Sequence, residues 1–350
     1  MTQGYRVAIV GATGLVGRTM ATVLCERHFP VRSLRMFASA RSAGSSLEWN
    51  GRSIVVEEAR PDAFADIDLA LFSAGASTSR ELAPAAVAAG AIVVDNSSAW
   101  RMDPDIPLVV PEVNPDDVAW NKGIIANPNC STIQMVVALD PLHRARGIRR
   151  IVVDTYQSVG GTGNKGVAEL REQVAQDAAG VALTPNVYPH PIAFNLVPQI
   201  DSFLPDGSTK EEAKMVNETR KIMHAPLIKV IATTVRVPVL CAHSEAVHVG
   251  FERPITPDEA REFLRRAPGV IVEDDPSRSI YPTPRDKIGR DEVFVGRIRS
   301  NDVFENGLSM WIVADNIRKG AATNAVQIAE ELARRGLLAN RKERLNVVRG

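Results

Sequence analysis

The run NPNCSTIQMVVAL holds Cys130 where a loop of Pro and Asn gives way to an apolar helical pattern, so its sulfur is expected at the amino end of a helix. The first turn of a helix leaves backbone N–H groups without partners and carries the positive end of the dipole, and both favour a thiolate over a thiol. The same donors can hold an oxyanion. Cys25 and Cys241 sit among apolar neighbours with no loop or helix start before them, and are expected to be small core residues. A sulfur nucleophile needs a partner for the protons its chemistry moves. Among six histidines, His243 in RVPVLCAHSEAVHVGF has the most suggestive setting, while His28, His143 and His224 are expected at solvated helix or turn positions. Arg236, seven residues earlier on the same apparent strand and its exit, offers a planar fork for a substrate carboxylate. Positions seven apart on one strand face opposite ways, so a bulge or loop is required if both are to enter one pocket.

A second constellation opens the chain. GATGLVG puts Gly11, Gly14 and Gly17 between an apolar strand, Tyr5 to Val10, and a helix, Arg18 to Arg27, where missing side chains let the backbone approach a pyrophosphate. The spacing is GxxGxxG, a variant of the common dinucleotide loop. The next strand, 33–38, runs into FASARSAG, which has no carboxylate for a ribose hydroxyl. Ser39, Arg41 and Ser42 instead supply a cation and hydroxyls suited to a ribose phosphate, so the expected cofactor is NADP(H).

These groups need elements to hold them. Short apolar runs at 68–74 and 91–95, separated by a helix over 77–89 that Gly90 closes, continue the alternation of a doubly wound sheet. From Ile148 the pattern changes to longer strands, 148–158, 229–238 and 246–251, with a helix beginning at Arg261, as in an α+β domain. An alanine-rich helix over 321–335 is placed to return to the first domain. The expected fold is therefore α/β: a Rossmann-type dinucleotide-binding domain over 1–129, an α+β catalytic domain over 130–319, and a C-terminal helix over 320–350.

Lys plus Arg and Asp plus Glu number 41 each, so no excess basic field attracts nucleic acid or an anionic membrane. Three cysteines fit neither a disulfide framework nor a zinc site, no metal is expected, and the compartment is expected to be reducing and cytoplasmic. No signal-like leader or membrane-length apolar run is apparent.

GATGLVG, ASARSAG, DNSSAWR, VVPEVN, NPNCST, TYQSVGGTG, NLVPQI, NETRKI, RVPVLCAHSE and FVGRIR follow one another over nearly the whole chain. In that order and at these spacings they resemble the aspartate-semialdehyde dehydrogenases. The resemblance implies that Cys130 is acylated, that His243 is the acid and base catalyst, and that Gln157 positions the substrate. Arg236 would bind the substrate carboxylate and Glu218 its ammonium group, with Arg101, Asn129 and Lys221 around the phosphate. Thr13, Gly14, Leu15, Val16, Gly160, Gly161 and Asn316 would contact the cofactor, and the second domain would build a homodimer or homotetramer. Trp100 stands where the family has a phenylalanine, and the stretch from Lys221 to Arg236 resembles the more compact branch.

The implied reaction is NADPH-dependent reduction of aspartyl phosphate to aspartate semialdehyde through a cysteine thioester, toward lysine, methionine, threonine and isoleucine. An enzyme similar to N-acetyl-glutamyl-phosphate reductase is the nearest alternative. Its acetylated substrate has no ammonium for Glu218, whose unpaired charge would then be costly, and its usual NPGCY differs from NPNCST. An NADP-binding thiol sensor is the alternative from another class, and it requires a partner thiol that the segment around Cys130 lacks.

Overall fold

The computed structural model describes residues 4–338, so residues 339–350 of the expected C-terminal segment lie outside the described residues. The chain divides into two compact units, one running to Pro128 and resuming at Ala321, the other Asn129–Gly320. The expected boundaries each fall one residue away from these.

The first unit holds strands β1 (Tyr5–Val10), β2 (Val31–Ala38), β3 (Ser46–Trp49), β4 (Arg52–Glu58), β5 (Leu69–Phe72), β6 (Ile92–Asp95) and β7 (Ile124–Ala126), in the order β3-β4-β2-β1-β5-β6-β7. All neighbours are parallel except the β3/β4 hairpin. Val7, Ala8, Ile9 and Val10 are wholly buried, because both faces of this central strand are covered; that is why its run is apolar without alternation. Helix α1 (Leu15–Glu26) packs Met20 and Leu24 on one face, while α2 (Ala76–Ala88) packs Leu82, Ala83 and Ala86 against Phe37, Phe64 and Phe72 on the other. Helix α1 starts three residues before the expected Arg18, since Gly14 is its N-cap and Gly17 falls inside its first turns.

The second unit is a mixed sheet of β8 (Ile148–Gln157), β9 (Lys229–Arg236), β10 (His243–Phe251), β11 (Val270–Val272), β12 (Val293–Asn301) and β13 (Gly307–Ala314). The order is β11-β12-β13-β10-β8-β9, with β8/β9 and β11/β12 parallel and the other pairs antiparallel. Its helices are α3 (Cys130–Arg146), α4 (Asn164–Ala178), α5 (Lys210–Ile222) and α6 (Pro257–Arg266). Helix α3 lies on the sheet beneath α5 and α6 and is buried nearly all round, through Ile133, Met135, Val136 and Leu139. Helix α6 begins four residues before the expected Arg261. Thr256 Oγ1 accepts the Glu259 N–H and the Glu259 carboxylate accepts the Thr256 N–H, a reciprocal cap that nucleates the first turn. The sheet's other face leaves Tyr156 and Ile231 exposed, with the Trp311 ring 5.4 Å from that of Tyr156.

The last helix, α7 (Thr323–Arg334), belongs to the first unit, where Val326, Ile328 and Leu332 join the core that α1 lines. Among the described residues no helix is long and apolar enough to cross a membrane.

Candidate active site

Cys130 is the first residue of α3 and is half-buried. Asn129 before it is extended, and its Oδ1 accepts the Ser131 N–H at 3.0 Å and the Thr132 N–H at 3.3 Å, which caps the helix. His143, Arg144 and Arg146 gather in the last turn. The axis therefore presents its positive end to the sulfur and its negative end to cations.

The ends of three adjacent strands supply the facing side chains. Gln157 closes β8 and stands opposite Arg236, the last residue of β9. Ser244 of β10 stands opposite Tyr156, so the next step of that ladder sets His243 level with Gln157. Gln157, Arg236 and His243 are all buried in one row. Arg236 and His243 do not share a strand, contrary to expectation: the loop 237–242, with Ala242 at φ 68°, carries the chain from one flank of β8 to the other. The seven-residue spacing is a crossing, so strand alternation does not apply to it.

His243 Nδ1 accepts the Ser158 N–H at 3.0 Å and lies 3.1 Å from the Ser158 hydroxyl. A backbone amide can only donate, so the neutral ring carries its proton on Nε2. That nitrogen is buried without a protein partner. Burial, and secondly the nearby charge of Arg236, push the ring's pKa well below its ordinary 6.5, so it is neutral. The Arg236 guanidinium donates through Nη1 to the Ser158 carbonyl at 2.7 Å and lies 5.9 Å from the Tyr188 ring centroid. Gly161 lies against both groups. A Cβ there would stand 3.0 Å from Arg236 Nη1 and 3.3 Å from His243 Nε2, so any side chain would crowd the donors that face it.

Asn316 secures this corner, its Oδ1 accepting the Ala242 N–H at 2.9 Å and the Ser158 hydroxyl at 3.1 Å. Its Nδ2 is buried with no protein partner. Gly160 lies beside that amide, its absent Cβ 3.8 Å from Nδ2, so a donor remains for a ligand's acceptor where the resemblance puts the cofactor. Cys241 is half-buried rather than a core residue. Its thiol points at Asp315 Oδ1 from 3.5 Å, and burial followed by that charge pushes its pKa up to about 12, which leaves it unreactive. Cys25 is likewise half-buried.

Glu218 on α5 is buried and accepts the Asn129 N–H at 2.7 Å, while Lys221 lies one turn further on. Asn129 was expected to meet the phosphate, but its carboxamide is engaged at both ends, in the helix cap and through Nδ2 on Glu211 at 2.7 Å. Arg101 is in the other unit, buried, and donates to the carbonyls of Ser97 at 3.0 Å and Asn96 at 2.9 Å. His28 and His224 are exposed as expected. His143 is half-buried instead, its Nδ1 accepting the Ile148 N–H at 2.9 Å, and burial lowers its pKa. Ser158 and Glu211 were missed. His243 lies tens of positions from Ser158, as Asn129 and Gln157 do from Glu211, and only Glu211 had a signal, standing with Lys214 one heptad before Glu218 and Lys221.

The glycine turn of the first unit fits a dinucleotide. Gly11 has φ 85°, and a Cβ on Gly17 would come 2.2 Å from the Gly11 carbonyl, so the tight turn into α1 requires glycine at both positions. Gly14 caps α1 without any side-chain hydrogen bond, and the first turn, with Leu15 and Val16, has no acidic residue to compete with an anion. Phe37 O accepts the amides of Gly11 and Ala12, which ties the end of β2, and hence Ser39, Arg41 and Ser42, to this turn.

Family models match at residues 6–120, described as semialdehyde dehydrogenase, NAD binding domain, and at 139–319, described as semialdehyde dehydrogenase, dimerisation domain. The chain is 59% identical to an aspartate-semialdehyde dehydrogenase of Aquifex aeolicus over 96% of its own length and 100% of that protein's. It is 48% identical to one of Bacillus subtilis over 97% and 100%. A crystal structure of aspartate semialdehyde dehydrogenase II from Vibrio cholerae, complexed with ASA, matches with TM-score 0.93 at 49% identity, over 95% of this chain and 99% of that one. The Candida albicans enzyme with NADP matches with TM-score 0.74 at 27% identity, over 94% and 98%.

Proposed function

The chain belongs to the aspartate-semialdehyde dehydrogenases, which reduce L-4-aspartyl phosphate to L-aspartate 4-semialdehyde with NADPH in amino-acid biosynthesis, and from that premise we propose that Cys130 is the nucleophile of the reaction. The observation that carries this is a shared carboxylate oxygen. Glu211 Oε1 accepts from Asn129, the cap beside Cys130, and from Gln157, at the end of β8 in the row with Arg236 and His243.

The thiolate attacks the acyl carbon, a carbon–sulfur bond forms, and the carbon–oxygen bond to phosphate breaks with its electron pair leaving on phosphate. When bound, NADPH supplies the hydride that reduces the resulting thioester. The tetrahedral oxyanion then collapses, and the sulfur leaves again as thiolate. The resemblance implies acid and base catalysis by His243; with Nδ1 taken by the Ser158 amide and the ring kept neutral by burial, that role narrows to Nε2–H donating to that oxygen in both tetrahedral states, and the proton consumed overall ends on the departing phosphate. Arg236 clamps the substrate carboxylate and Glu218 its ammonium. Arg101 and Lys221 meet the phosphate, and Asn129 contributes through the helix terminus that it caps. Thr13, Gly14, Leu15 and Val16 hold the pyrophosphate, Ser39, Arg41 and Ser42 the ribose phosphate, and Gly160, Gly161 and Asn316 the nicotinamide end.

The protein works as a homodimer or homotetramer built through residues 130–319, in a reducing cytoplasm, a setting consistent with its three free cysteines. Supplying aspartate semialdehyde, phosphate and NADP should produce NADPH absorbance, and N-acetyl-glutamate semialdehyde should not. Cys130→Ala should abolish the signal while NADPH still binds; turnover near wild type in that variant would remove the nucleophile from the scheme.

A further inference from the structure

Helix α5 carries Glu211 and Lys214, then Glu218 and Lys221, so the same acid–base spacing recurs one heptad apart on the helix that packs against α3. The second pair is taken up by the substrate and phosphate roles given above. The first pair is given no contact with substrate or phosphate there. The Glu211 carboxylate is buried and accepts from Asn129 Nδ2 at 2.7 Å, from Gln157 Nε2 at 3.3 Å and from Lys214 Nζ at 3.1 Å. Lys214 Nζ reaches onward to Asp201 Oδ2 at 2.9 Å.

We propose that Glu211 is a positioning residue of the reaction, fixing the amide orientations of Asn129 and Gln157 and through them the helix cap beside Cys130 and the face that Gln157 turns to the substrate. The inference rests on Cys130 being the nucleophile. Its physical content is that a carboxylate only accepts hydrogen bonds. Both amides must give Glu211 their NH2 ends, so Asn129 keeps Oδ1 on the first amides of α3 and Gln157 turns its carbonyl oxygen away from Glu211. A neutral amide at position 211 would donate as readily as accept, and either neighbour could then flip. Burial opposes the charge on Glu211, but Lys214 and the two amides overcome it and hold the pKa below the ordinary value, helped by its place in the first turn of α5.

Two variants separate positioning from bulk structure. Glu211→Gln keeps the volume and should lower kcat roughly tenfold to a hundredfold, as small misplacements of reacting groups do, with NADPH binding by fluorescence unchanged. Lys214→Met leaves the carboxylate buried without its cation, so Glu211 should take up a proton at higher pH than in the wild type. The kcat of Lys214→Met should therefore fall toward acid with an inflection that the wild-type profile lacks. A kcat within twofold of wild type for Glu211→Gln, or superimposable pH profiles for Lys214→Met and wild type, overturns the assignment. Turnover retained by Cys130→Ala would instead sink the nucleophile on which it rests, leaving the two failures distinguishable.

Discussion

At the scale of single residues the decisive fact is which nitrogen of His243 holds the proton. The Ser158 amide occupies Nδ1, burial and Arg236 keep the ring neutral, and Nε2–H is left without a protein partner, so the side chain is poised as a donor. A donor need not titrate for catalysis to proceed. The kcat of the wild type should therefore show no inflection at the ordinary histidine value of 6.5. His243→Gln, which can still donate, should lose about tenfold, and His243→Ala roughly a hundredfold to a thousandfold, the usual cost of an oxyanion donor. Equal losses in the two variants, or a clear inflection near neutrality, would mean that full proton transfer governs the step. Cys130, Arg236 and His243 were legible because a helix start, a guanidinium and an imidazole announce their chemistry in their own neighbourhoods. Gln157 and Glu218 came only from the family resemblance. Ser158 was invisible and Glu211 had only its heptad repeat as a signal, since a serine after a strand and a glutamate in a first turn are ordinary until the fold brings His243 and Asn129 to them.

At the scale of elements, the first unit was legible because buried parallel strands are continuous apolar runs, and β1 spans the residues expected of it. Three strands escaped: β3 and β7, whose four and three residues make too little pattern, and the seven-residue β4, in which only Val56 is buried. The strands β11 to β13 escaped as well. Bulged pairing between Gly296 and Arg299 interrupts the alternation of β12. Besides His243 Nε2 and Asn316 Nδ2, other buried polar atoms of the second unit depart from the rule that such atoms are partnered, most of all at Glu245 and Gln134. Glu245 of β10 is buried with both carboxyl oxygens unpartnered, as are both amide atoms of Gln134 on α3. Burial, opposed weakly by Gln134, pushes the Glu245 pKa well above its ordinary 4.5, so the folded chain holds a proton that the unfolded chain releases above that pH. Folding stability from this site is therefore lost progressively as pH rises above 4.5. Glu245→Gln, which cannot ionise, should match the wild type in Tm below that pH and exceed it near pH 8, by about 2 °C or less per kcal/mol in a chain of this length. A Tm difference that does not change with pH would show the carboxyl to be ionised in the folded state.

At the scale of the whole molecule, the segments up to Pro128 and from Ala321 to Leu338 build the nucleotide unit, and the unit between them carries Cys130 and a partly exposed sheet face. The opposite face of that sheet is closed by α3, α5 and α6, while Tyr156, Ile231 and the Trp311 ring stand on the open side. The family model for residues 139–319 is described as a dimerisation domain, and this face, where Tyr156 and Ile231 stand among Arg150, Asp154, Lys229 and Thr233, is the candidate surface for a second copy. Ile231 is 63% exposed, so a lysine there costs the isolated chain little but puts a strongly hydrated ammonium into any interface that buries it. Sedimentation velocity at micromolar concentration should therefore give a mass twice the 37.9 kDa of the chain for the wild type and a shift to the single-chain mass for Ile231→Lys. The melting transition of the wild type should in turn rise with protein concentration, as it must when folding and association are linked, and that of Ile231→Lys should not. A dimer that survives the substitution unchanged would put the interface on another face of the sheet unit.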